Sequence, residues 1–250
     1  MKDIALITGA SSGIGRQYAL QLAARCKGMI LLGQREEALT SLAAELGDQG
    51  VEVHCLVEDL GTTLGVARTL EAIRQKGPVS ILINNAGFGN RAVLAECDLQ
   101  LQQQMIALHC SASVALCRGA LPFMREAGRG TVINVASVGA FLSTPTAAVY
   151  NASKAFLVSL SRSLAEELAA EPIAVQCLCP GYTRSDFHHR RDYGDVDLIA
   201  IPDSDWMSAE QVVTESLAAL ADEAAPVVVI PGEHNRQRAR QQLQAQLDAL

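Results

Sequence analysis

Aromatic residues are scarce in this chain, at 4% of its 250 positions with a single tryptophan. Neither end therefore offers the aromatic anchors by which a helix holds to a membrane interface. Uninterrupted apolar runs of the length needed to cross a bilayer, about eighteen residues, are also missing. Basic residues are outnumbered, 20 against 27 acidic ones for a net charge of −7, and no basic block is long enough to follow a phosphate backbone. Nucleic acid is accordingly excluded as an expected partner. The cysteines at 26, 55, 97, 110, 117, 177 and 179 are odd in number and form no C-x-x-C pair, which points to free thiols in a reducing compartment. His, Cys and Asp do not cluster at ligand spacing, so no metal is expected. The opening M-K-D-I-A-L-I-T-G has too short an apolar run for a signal peptide, and the expected location is cytoplasmic.

What is present is a chain 49% hydrophobic and 19% charged, enough for a sizeable core. Short apolar runs recur with helical stretches between them, at Ile4 to Thr8, Met29 to Gly33, Val51 to Val57, Ile81 to Asn84, Thr131 to Val135, Ala174 to Cys179 and Val227 to Ile230. Most are apolar at successive positions, as strands buried on both faces must be, and the intervening segments are long enough for parallel crossovers. The expectation is an α/β fold, a Rossmann-type doubly wound parallel sheet of about seven strands with helices on both faces. Without internal repeat or linker, one domain over 1–250 is expected. Residues 182–207 lack clear periodicity and carry Gly194, Pro202 and several aspartates, which predicts a substrate loop. A helical tail is expected over 233–250.

Between the first strand and its helix stands T-G-A-S-S-G-I-G, Thr8 to Gly15. Gly9, Gly13 and Gly15 permit a tight turn and close backbone approach, while a helix N-terminus presents amides and a positive dipole to a pyrophosphate. A dinucleotide is the expected ligand, with Ser11, Ser12 and Ile14 beside the glycines. Tyr150 and Lys154 in V-Y-N-A-S-K are spaced to meet on one helix face, about 5 to 6 Å apart at Cβ. By itself that spacing leaves an ordinary helix face and a proton-transfer site both open; were the reaction a hydride reduction of a carbonyl, it would leave an oxyanion that a positioned acid must protonate. A free phenol has a pKa near 10, and a neighbouring ammonium stabilises its phenolate and lowers that value. Lys154 fits that role, and Ser137, in N-V-A-S-V, can donate a hydrogen bond to the developing charge.

These motifs, together with N-N-A-G at Asn84 to Gly87, closely resemble the short-chain dehydrogenase/reductase superfamily over nearly the whole chain. The resemblance implies an oxidoreductase that moves a hydride between a nicotinamide cofactor and a carbonyl or alcohol. It implies that Ser137, Tyr150 and Lys154 are catalytic, that Lys154 also holds the nicotinamide ribose, and that Asn85, Ala86 and Gly87 lie beside the adenosine ribose. Asp59, with Leu60 after it, matches the position that contacts the adenine ring. Pro180 and Gly181 match the turn around the nicotinamide, with Thr183 and Ser185 as candidate cofactor contacts. A homodimer or homotetramer built on the fourth and fifth helices is also implied.

The pattern departs from the family in one catalytic position. Many members carry an asparagine thirteen positions before the proline that closes the fourth main helix, where it anchors a water through its backbone carbonyl. Counted from Pro122, that position is His109. Two readings stand: the imidazole joins a proton relay, or it fills a helix contact. For the cofactor, an acidic residue at the end of the second strand would select NAD. The chain has Gly33, Gln34 and Arg35 there, which favours NADP with NAD possible, unless Arg35 is consumed by Glu36 or Glu37. His188, His189, Arg190 and Arg191 are either a solvated loop or a meeting point for an anionic substrate. The tail arginines 236, 238 and 240 and leucines 243, 247 and 250 suggest docking on the body or on a second subunit. The alternative to an enzyme is a catalytically silent dinucleotide-sensing or scaffold protein of the same fold.

Overall fold

The computed structural model describes residues 3–189, 200–222 and 224–249. The strands are β1 (Asp3–Thr8), β2 (Cys26–Gly33), β3 (Glu52–Val57), β4 (Ile81–Asn84), β5 (Gly130–Val135), β6 (Ile173–Leu178), β7 (Tyr182–Arg184), β8 (Trp206–Ser208) and β9 (Val228–Val229). The helices are α1 (Gly13–Leu22), α2 (Glu36–Gly47), α3 (Thr63–Lys76), α4 (Leu99–Ile106), α5 (Ala112–Ala127), α6 (Ala148–Glu167), α7 (Ala209–Leu220) and α8 (Glu233–Asp248). All seven expected strands pair into one parallel sheet in the order β3-β2-β1-β4-β5-β6-β9. Its order reverses between β1 and β4, and in such sheets that switch opens a crevice at the strands' carboxyl ends.

Alternation along β1 explains why both faces must be covered. Ala5 and Ile7 join a buried cluster with Tyr18 and Leu22 of α1, Leu39 and Leu42 of α2, and Val212 and Val213 of α7. Leu6 faces the other way, into a cluster with Ile73 of α3, Leu116 and Met124 of α5, and Leu164 of α6. Each such buried aliphatic side chain contributes roughly 1.5–3 kcal/mol relative to exposure.

Local chemistry sets several boundaries. The Thr62 hydroxyl accepts from Gly65 N at the start of α3, and Asp98 accepts from Gln100 N and Leu101 N at the start of α4. A capping box between Ser208 and Gln211 opens α7, and Gly128, in the left-handed region, closes α5. Between α4 and α5 the helix continues through a π-helical turn over Ala107–Ser111.

The stretch expected as a substrate loop, 182–207, is bounded by strands. β7 and β8 pair in parallel, Tyr182 with Trp206 and Arg184 with Ser208. Three residues per strand are too few for a period to show in the sequence. Positions 190–199 of this segment, including Arg190 and Arg191, lie outside the described residues, as do the side chains of His188 and His189. The tail forms α8 and docks on the body: Asn235 and Ala239 are buried, whereas Leu243 and Leu247 are exposed. Leu250 is outside the described residues.

Candidate active site

Thr8 ends β1 and ties the crevice together. Its hydroxyl donates to the Ile83 carbonyl and accepts from Asn85 N and Ala86 N, both at 2.9 Å. The Asn85 amide donates back to the carbonyls of Thr8 (2.9 Å) and Gly9 (3.3 Å). The N-N-A-G segment thus clamps the glycine-rich turn. Gly9 sits at φ +66, and a Cβ there would lie 2.8 Å from Asn85 Nδ2. A Cβ on Gly15 would sit on the Gly9 carbonyl oxygen, so both positions require glycine. Ser12 opens α1 without a side-chain cap, and Gly13 and Ile14 line the crevice. The first-turn amides of α1 are therefore left for an anion to cap, as a dinucleotide's pyrophosphate would.

The crevice is a single cleft of about 780 Å³. Among the expected cofactor residues, its lining holds Gly9, Ser11, Ser12, Gly13, Ile14, Gln34, Arg35, Asp59, Leu60, Asn85, Ala86 and Gly87 at one end, and Pro180, Gly181, Thr183 and Ser185 further along. Ser137, Tyr150 and Lys154 line it too. Gly15 and His109 are the expected residues outside the lining; Gly15 is packed under the turn, and His109 is buried behind Gly87. Volume, glycine cradle and uncapped helix start fit a dinucleotide.

Lys154 is 4% exposed, and its Nζ donates to the Val135 carbonyl at 3.0 Å and stands 5.8 Å from the Tyr150 ring centroid. Burial pushes its ammonium down to about 8, so it is still largely charged at neutral pH. Ser137 opens a short 3₁₀ turn, its hydroxyl accepting from Gly139 N at 3.0 Å. A Cβ on Gly139 would lie 3.3 Å from Ser137 Oγ and 3.4 Å from Tyr150 Cε1, so the serine and the phenol ring flank the same glycine. Phe187 packs on Tyr150 at 6.2 Å between ring centroids.

His109 is 1% exposed and both ring nitrogens are engaged. Nε2 accepts from Phe88 N at 3.2 Å, which makes it the unprotonated nitrogen. Nδ1–H then donates to Ser153 Oγ at 2.9 Å, and that hydroxyl donates to the Tyr150 carbonyl at 2.7 Å. Burial first, and the Lys154 charge second, hold the imidazole well below its usual range. A neutral ring thus staples the Gly87–Phe88 backbone to α6. The π-helical turn that carries His109 is a device common at functional sites.

Arg35 is not consumed by Glu36 or Glu37. Its guanidinium donates to Asp186 at 2.7 Å and to Ser11 Oγ at 3.3–3.4 Å, with both ionic partners about half exposed. Thr183 is buried and its hydroxyl donates to the Gly181 carbonyl at 3.1 Å; Ser185 donates to Thr183 O at 3.3 Å. Asp59 accepts from Gly61 N at 2.8 Å. Sequence reasoning missed Arg91, Phe187 and Arg238 as cleft residues, because each enters from a loop or tail whose path no local pattern reveals.

A sequence model described as short chain dehydrogenase matches residues 3–194. The chain is 35% identical over 180 residues to a very-long-chain 3-oxoacyl-CoA reductase of Pyrenophora tritici-repentis, a match spanning 70% of this chain and 53% of that relative, about half its length. Among solved structures, a short-chain dehydrogenase from Sphingobium yanoikuyae in complex with NADPH superposes with a TM-score of 0.86 at 31% identity, covering 99% of this chain and 95% of the other. A bulky-bulky ketone specific alcohol dehydrogenase from Comamonas testosteroni matches with a TM-score of 0.82 at 27% identity, covering 99% and 93%.

Proposed function

Since the chain belongs to the short-chain dehydrogenase family, we propose that its cleft reduces a carbonyl with NADPH, using Tyr150 as proton donor. The chain is an oxidoreductase that uses a nicotinamide cofactor and acts between carbonyl and alcohol. The cofactor supplies the hydride. Tyr150 gives its phenolic proton to the oxygen that becomes the alcohol, and takes it back in the reverse direction. Lys154 steadies the phenolate with its buried charge, and Ser137 donates a hydrogen bond to the same substrate oxygen. His109 acts at one remove, holding Gly87 and Phe88 against α6.

The observation that carries this reading is the convergence of Ser137, Tyr150 and Lys154 on the cleft whose other end is the glycine cradle. Arg35 supports a preference for NADP. An exposed ion pair is worth about 0–1 kcal/mol, so the guanidinium can exchange Asp186 for a 2′-phosphate, which it grips bidentately. A homodimer or homotetramer, a cytoplasmic location and a single functional domain over 1–250 complete the reading.

The test is NADPH absorbance with purified protein and a panel of ketones, 3-oxoacyl thioesters, steroids and sugars. Turnover of at least one class is expected, abolished by Tyr150→Phe with NADPH binding largely kept. Binding of NADPH without turnover of any carbonyl would favour the silent, dinucleotide-sensing alternative.

A further inference from the structure

From the charges lining the cleft, we infer that the substrate is an oxo compound bearing a carboxylate or similar small anion, recognised by Arg91 and Arg238. This rests on the reductase reading above and adds the substrate's charge to it. Among the described residues the cleft lining holds three carboxylates, Glu58, Asp59 and Asp186, and each is already engaged. Glu58 pairs with Arg68 at 3.0 Å, Asp186 with Arg35 at 2.7 Å, and Asp59 accepts from Gly61 N. Arg91 and Arg238 also line the cleft. Both are half-buried, and among the described residues neither guanidinium makes an ion pair or side-chain hydrogen bond.

Each enters the cleft from a segment anchored beside the site. Arg91 follows Phe88, whose ring packs on His109 at 6.1 Å. Arg238 lies one helical turn beyond Asn235, whose amide packs on Gly181 in the turn after β6. Arg238 also lines the neighbouring shallow pocket, where, among the described residues, the carboxylate of the lining, Asp205, pairs with His234 at 3.5 Å. In a protein with net charge −7, two guanidiniums in one concavity that no carboxylate among the described residues pairs with make a local positive field. Such a field concentrates anions, and each planar fork matches a carboxylate bidentately. A neutral substrate would leave both half-desolvated charges without a partner.

Two probes sharing one carbonyl, 4-oxobutanoate and its methyl ester, test the inference. With NADPH, or NADH should that bind better, kcat/KM is expected to favour the acid at least tenfold. Raising sodium chloride tenfold should shrink that preference. Arg91→Ala and Arg238→Ala should each move the acid-to-ester ratio about tenfold toward one, with melting temperature and cofactor affinity retained, and Lys at either position should restore part of it. Equilibrium binding of both probes to cofactor-loaded Tyr150→Phe protein gives the same ratio without chemistry. A ratio near one in the wild type, or one that survives the double Ala variant, overturns the inference while leaving the reductase reading intact. If no carbonyl is reduced the reductase reading falls, and the binding ratio still decides whether this cleft selects an anion.

Discussion

Replacing His109 tests whether a neutral, doubly bonded imidazole holds the wall of the cleft. In His109→Leu the side-chain volume is nearly kept, but Phe88 N loses its acceptor and Ser153 Oγ loses the Nδ1–H donor. Phe88 and Ser153 are 7% and 3% exposed, so water does not readily replace the ring. An orphaned buried amide costs about 1–3 kcal/mol, and the second lost bond adds about 1. Destabilisation of about 2–4 kcal/mol is expected by urea unfolding at pH 7.

The pH dependence separates this cause from simple repacking. Burial lowers the folded imidazole's pKa well below 6.5, so below pH 6.5 the unfolded state takes up a proton that the folded state does not. Wild-type stability therefore falls as pH drops, and His109→Leu lacks that component. The gap between the two proteins should narrow by about 1 kcal/mol from pH 7 to pH 5.5. A pH-independent gap would refute the buried neutral ring. His109→Asn should keep turnover within about tenfold, since the backbone carbonyl remains. A hundredfold loss, about 2.7 kcal/mol of transition-state stabilisation, in folded protein would show that the imidazole itself takes part in proton transfer.

Lys154→Met should move the kcat/KM profile for alcohol oxidation to higher pH and weaken cofactor binding; an unshifted profile in the saturated, folded variant would reduce the lysine to a ribose contact. In the wild type, carbonyl reduction should decline above about pH 8, where Lys154 loses its proton; a rate flat to pH 10 would contradict that. Arg35→Ala should weaken NADPH binding about tenfold and NADH binding little, read by fluorescence titration; equal losses would remove the 2′-phosphate assignment. Gly9→Ala, forced to φ +66 and into Asn85, should abolish cofactor binding and destabilise the turn, and near-normal affinity by the same titration would disprove the clamp.

Patterns within a few residues of one another carried the fold and much of the site into the sequence. Buried parallel strands read as apolar runs because both faces are covered, and the seven runs and their crossovers follow from that alone. The glycine turn is legible because only glycine tolerates φ +66 beside the Asn85 amide, and Tyr150 and Lys154 are legible because a helix turn brings them onto one face. Contacts between distant segments were not legible. That His109 meets Phe88 and Ser153, that Arg35 reaches Asp186 across 151 positions, and that Arg91 and Arg238 enter one cleft all depend on how loops and the last helix pack over the finished sheet. Short-range periodicity encodes which face of an element is apolar; only tertiary packing decides which buried nitrogen finds which acceptor, and which charges are left without a partner.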